Sequence, residues 1–132
     1  MSDVDWATAT FLDRLLYGLW LDPEDVRVRY DVASIVADQL PLIERLVQDW
    51  RKVAPGSDAT VMEFDFQATG NAKKKLLRRL SGHVVTRRGG LTLRSAQQLK
   101  WLPDFALAYD IVARECGGSL LGWRYLASPI PE

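Results

Sequence analysis

The hydrophobic positions of this chain change their spacing several times, and each change predicts an element. Between residues 5 and 20, Phe11, Leu12, Leu15, Leu16 and Leu19 recur at helical intervals, as on a helix with one buried stripe. Leu21-Asp22-Pro23-Glu24-Asp25 then predicts a second helix start. Asp22 is the cap, Pro23 suits the first turn, and the acids lie near the positive end of the helix dipole. This helix is expected to run to about Gln39, although Val26, Val28, Tyr30 and Val32 alternate as a strand would. Pro41 has no amide hydrogen, so it is placed in the first turn of a third helix, 41–53, with Ile43, Leu46, Val47, Trp50 and Val53 inward. Ala54-Pro55-Gly56-Ser57-Asp58 is a break.

From residue 59 to 67 the period drops to two. Met62, Phe64 and Phe66 share one face of a predicted strand, and Val61, Glu63 and Asp65 share the other. A short helix is expected over 71–81, with Ala72, Leu76, Leu77 and Leu80 as its apolar stripe and Gly82 as its C-cap. Lys74, Lys75 and Arg78 point away from that stripe, flanked by Lys73 and Arg79. Two β-prone runs, 83–88 and 91–94, surround Gly89-Gly90 and predict a hairpin. Ser95 is expected to cap a helix carrying Leu99, Leu102, Ala106, Tyr109 and Val112, kinked or divided near Pro103 and ended by Gly117-Gly118. A last strand is expected over 119–127, with Leu121, Trp123 and Tyr125 on one side, followed by a tail from Ser128. The fold class is therefore α+β: a helix-rich single domain with a small, mostly antiparallel sheet.

Composition narrows the picture. A chain of 132 residues with 48% hydrophobic and 26% charged side chains is a globular mix, and its length fits one domain. No apolar run reaches the roughly 18 residues of a membrane span, and the acidic Met1-Ser2-Asp3-Val4-Asp5 does not look like a secretory signal. A soluble, cytoplasmic protein without a membrane partner is expected. A single cysteine, Cys116, allows no internal disulfide, and it reads as a small buried filler rather than a nucleophile. Of the five tryptophans, Trp6, Trp20, Trp50, Trp101 and Trp123, most are expected to anchor the core.

Charge changes the picture more. The formal net charge is zero, yet residues 1–65 hold 13 acids against six bases, and residues 66–103 hold nine bases and no acid. Residues 104–132 return four acids against two bases. The domain thus divides into an acidic helical half (1–56), a basic strand–helix–hairpin segment (57–95) and a C-terminal helix and strand (96–132). Such segregation suits either a polyanion partner or an internal match between the acidic and basic parts.

The candidate binding residues follow from that segment: Lys73, Lys74, Lys75, Arg78, Arg79, Arg87, Arg88 and Arg94. Several cations in reach of successive phosphates release counterions on binding, which is the main source of affinity for nucleic acids. A basic helix followed by a hairpin with arginines at its tip is similar in order to winged-helix DNA binders, except that a strand (59–67) precedes the helix here. DNA or RNA is the expected partner. A protein partner is the alternative, with the domain as an adaptor, accessory subunit or inhibitor.

Catalytic readings are weaker. Glu63 and Asp65, two apart on one strand, could hold Mg²⁺ with a following lysine, as in a metal-dependent nuclease. Restriction-endonuclease-like nucleases place Glu-x-Lys on a strand, and Asp65 occupies that lysine position here. Arg78 and His83 match an Arg-x4-His spacing used by some helical ribonucleases, but Gly82 intervenes as a helix stop. Neither phosphate-loop nor dinucleotide glycine spacing is present. No catalytic residue, metal site or cofactor is assigned from sequence.

Overall fold

A computed structural model of the chain describes residues 10–54, 56, 59–80 and 82–126. The elements in chain order are α1 (Phe11–Gly18), α2 (Pro23–Arg29), α3 (Val32–Val53), β1 (Ala59–Gln67), α4 (Gly70–Arg79), β2 (His83–Arg87), β3 (Gly90–Gln98), a short 3₁₀ turn (Leu99–Trp101), α5 (Leu102–Cys116) and β4 (Ser119–Tyr125). The four strands form one sheet in the order β2-β3-β1-β4, with every neighbouring pair antiparallel. The expected α+β architecture is the one observed. Trp6, the start of the first predicted helix, Pro55, Ser57, Asp58, Ser81 and the tail from 127 lie outside the described residues.

Strand β1 organises the sheet. Its alternation places Met62, Phe64 and Phe66, all fully buried, against the helical layer. Phe64 meets the Tyr109 ring edge-on at 4.8 Å, and Phe66 does so at 6.1 Å. Helix α5 is the central helix, touching α1, α3, α4 and β4. Buried Leu76 fixes α4 on this core, which leaves the opposite side of α4 outward. Strands β1 and β2 run parallel with β3 between them, so α4 is the crossover of a split β-α-β unit. The basic helix is therefore part of a helix-covered sheet and not the recognition helix of a winged-helix arrangement.

Several boundaries differ from the sequence expectation. The second helix stops at Arg29, because Tyr30 is extended and Asp31 starts a new helix by accepting a hydrogen bond from the Ser34 amide. That new helix runs unbroken for 22 residues with Pro41 inside it. Pro41 and Ala37 are both exposed, so the carbonyl that loses its partner faces water and the helix continues. Leu80, not Gly82, caps α4. The hairpin turn is Arg88-Gly89, while Gly90 already pairs with Arg87. Strand β3 extends through Ser95, which therefore caps nothing, and Pro103 sits in the first turn of α5 without dividing it. Strand β4 ends at Tyr125.

The tryptophans also depart from expectation. None of the four described ones is fully buried: Trp50, Trp101 and Trp123 are half-buried, and Trp20 is 68% exposed. The core is filled by aliphatic side chains and by Phe64 and Phe66 instead.

Candidate functional site

The basic residues divide into two structural groups. The first stands on the sheet face that the helices leave uncovered. Register places Arg94 on β3 and Arg124 on β4 directly opposite Glu63, one from each side. Arg94 donates from Nε and Nη2 to Glu63 Oε2 at 3.2 and 2.9 Å, and Arg124 Nη2 lies 2.9 Å from Glu63 Oε1. Asp65 is held by the Thr92 hydroxyl at 2.6 Å, by Arg124 Nη1, and by Arg87 at 3.4 Å. The arginine side chains are about half exposed and form a lid over two nearly buried carboxylates.

Electrostatics follow from this geometry. The hydrogen bond from Arg94 holds the Glu63 carboxyl below the ordinary range despite its burial, with Arg124 adding to the effect. For Asp65 burial works upward, but the Thr92 hydroxyl and the Arg124 and Arg87 guanidinium groups outweigh it and the carboxyl is lowered. The hydrogen bond to Asp65 raises Arg124 in turn. Both carboxylates are thus ionised and engaged by guanidinium groups, which occupy the oxygens a metal ion would need. Among the described residues there is no cluster of three or more potential metal ligands.

The second group lies on α4 and the hairpin turn. Lys74, Lys75, Arg78 and Arg88 are exposed, and Arg79 is half-buried. Among the described residues none of these five makes an ion pair. Lys73 differs, because its Nζ donates to the Arg87 carbonyl at 2.6 Å and joins α4 to the end of β2. The Ala68 amide donates to the Gly89 carbonyl at 3.1 Å, which brings the turn beside the start of α4. The acidic helices spend their ion pairs elsewhere: Arg27 on Asp13, and Arg29 on Asp25 and Glu115. The internal match between acidic and basic parts is thus made by strands β1, β3, β2 and β4, and α4 takes no share of it.

His83 is exposed at the start of β2, opposite Arg94. Cys116 is buried and in no disulfide; burial raises its thiol, partly opposed by the nearby Arg79 and Lys75 charges. Sequence reasoning missed Arg124, whose signal was its place between Trp123 and Tyr125 on an alternating strand. It also missed a groove of about 660 Å³ between α3 and β4, to which Leu42, Leu121 and Gln39 contribute. No helix among the described residues is long and apolar enough to cross a membrane.

Comparison of the chain with protein families, with curated proteins and with solved structures finds no match. The functional reading therefore rests on the surfaces themselves.

Proposed function

We propose that this domain binds a polyanion, nucleic acid in the first place, through the outer side of α4 and the β2–β3 turn. The observation that carries the reading is the set of exposed cations there, Lys74, Lys75, Arg78 and Arg88, without acidic partners among the described residues. Arg79 stands beside them, and Lys73 ties the helix to the turn so that both move as one surface. Arg87 and Arg94 serve mainly to neutralise Asp65 and Glu63, and contribute only through their exposed guanidinium edges. The domain is read as a binding or accessory module without a reaction of its own. Its sheet face carries arginines and no exposed aromatic ring on β1, β2 or β3, so contacts to phosphate are favoured over base stacking.

The test is a salt series with labelled single- and double-stranded DNA and RNA. Four neutralised phosphates give a log–log slope of about −3.6 on duplex DNA, at roughly 0.9 per phosphate. Combined Lys74→Glu, Lys75→Glu and Arg78→Glu substitution should abolish binding at moderate salt. Unchanged binding by that triple variant, or no binding by the native chain at low salt, refutes the reading. The alternative, a protein-interaction module, draws its support from the opposite flank of the molecule.

A further inference from the structure

Strand β4 is one edge of the sheet, and among the described residues nothing pairs with its outer side. A free edge is a template for another strand, and proteins usually protect it with proline, lysine, a bulge or short length. The other edge, β2, is only five residues long and carries His83 and Arg87. Strand β4 has seven residues, Ser119-Leu-Leu-Gly-Trp-Arg-Tyr125, with neither lysine nor proline; its register shifts opposite Asp65 and Phe66, so Leu121 has no partner on β1 and Gly122–Tyr125 is the regular stretch open to pairing, and its one charge, Arg124, is engaged by Glu63 and Asp65. Leu121 is 61% exposed on it, and across the groove Leu42 of α3 is 55% exposed. The floor between them is apolar, from Leu46, Leu120 and Trp123.

Exposed charge gives the groove a preference. Asp38 and Asp49 stand on its α3 rim, exposed and in no ion pair among the described residues, with Arg45 between them. In its wall Gln39 is 94% buried by its 6% residual exposure; it donates to Asp110 Oδ2 at 3.1 Å and to the Ala106 carbonyl at 3.3 Å, while its Oε1 has no donor.

We propose that this groove receives an extended segment of a partner protein, apolar in its middle and flanked by lysine or arginine, which adds to β4 as a fifth strand. Main-chain hydrogen bonds to β4 would supply affinity, and alternate side chains would fill the floor between Leu42 and Leu121. The flanking cations would meet Asp38 and Asp49. A second copy of this chain fits less well, because a two-fold contact sets the same acid-rich rim against itself.

A phage-displayed library of random dodecapeptides selected on the full chain tests this. Enriched peptides should alternate apolar residues between basic ends, and should shift the amide signals of 119–125. Leu121→Glu and Leu42→Glu alter exposed positions, so the fold is expected to persist, and each should weaken a selected peptide at least tenfold. Asp38→Lys with Asp49→Lys should weaken it comparably, while the α4 triple variant should leave it unchanged. The proposal fails if no peptide is enriched or if selected peptides bind the Leu121→Glu variant as tightly as the native chain. It also fails if sedimentation shows a dimer that Leu121→Glu dissolves, which would make the occupant a second copy.

Discussion

Lys73 Nζ donates to the main-chain carbonyl of Arg87 at 2.6 Å, fastening the first turn of α4 to the end of β2. The bond crosses from a helix to a hairpin through one side chain, with no carboxylate involved. Replacing Lys73 by methionine keeps the aliphatic stem and removes the donor. The expected result is a stability loss of about 1 kcal/mol in urea unfolding, typical of one hydrogen bond. Faster amide exchange confined to 87–89 would locate the effect. If polyanion binding falls by more than the loss of one charge explains, the coupling between helix and turn also matters for binding.

The carboxylates of Glu63 and Asp65 give the protein an acid limit. Their folded-state values lie below the ordinary range, so the unfolded chain takes up their protons first as pH falls. Stability from these groups is full above the ordinary carboxylate values. It is then lost as pH falls from about 4.5 through the depressed folded values. Arg124→Leu should flatten that acid slope and lower stability at pH 7 by about 1 kcal/mol, because Arg94, Thr92 and Arg87 still hold the two acids. Urea titrations at several pH values measure both effects.

Tyr109 sets an alkaline limit of the opposite sign. Burial pushes its hydroxyl from 10 up to about 12, so the unfolded chain ionises first as pH rises. Its contribution is intact below pH 10 and is lost as pH rises through the folded value. Tyr109→Phe should remove this part of the alkaline slope while leaving stability near neutrality within about 1 kcal/mol. An unchanged alkaline profile would show that other groups govern it.

Gly90 and Gly118 grip the end of β1 from its two sides. A Cβ on Gly90 would overlap the carbonyl oxygen of Phe66, and one on Gly118 would overlap that of Gln67. The obstructing atoms are main chain and cannot swing away. Gly90→Ala is therefore expected to cost about 2–4 kcal/mol, whereas Gly122→Ala, which meets nothing, should stay within about 1 kcal/mol. Thermal unfolding of the two variants side by side makes the comparison.

Trp20 offers a stabilising change. It follows α1 in the left-handed region, φ 65°, where its amide bonds to the Tyr17 carbonyl and the Leu21 amide to that of Leu16. This is a Schellman ending, which glycine occupies without strain. With its ring 68% exposed, little packing is at stake, and Trp20→Gly should raise stability by about 0.5–1 kcal/mol. A drop instead would show that the indole packs more usefully than its exposure suggests.

These residues also show what the sequence could and could not reveal. Strand β1 was legible to the residue because Met62, Phe64 and Phe66 alternate with charged positions, and a half-buried strand leaves that mark. The turn after Arg29 was not, because the Asp31 cap lies within the misleading alternation of Val26, Val28, Tyr30 and Val32. Pro41 misled because its cost depends on whether the orphaned carbonyl reaches water, a tertiary property. The basic segment was legible as composition only. Which cations are bound to acids depends on strand register, and register joined Arg94 and Arg124 to one glutamate from opposite sides.

Free charge is placed unevenly in a way that a net charge of zero conceals. Helix α3 balances its own charges, Asp38, Glu44 and Asp49 against Arg45, Arg51 and Lys52, whereas Lys74, Lys75, Arg78 and Arg88 have no ion-pair partner among the described residues. The surface around α4 is therefore locally positive on a chain that is neutral as a whole. Near neutral pH a cation-exchange resin should retain the protein with that flank turned toward it, so its first encounter with a charged surface is already a choice of face.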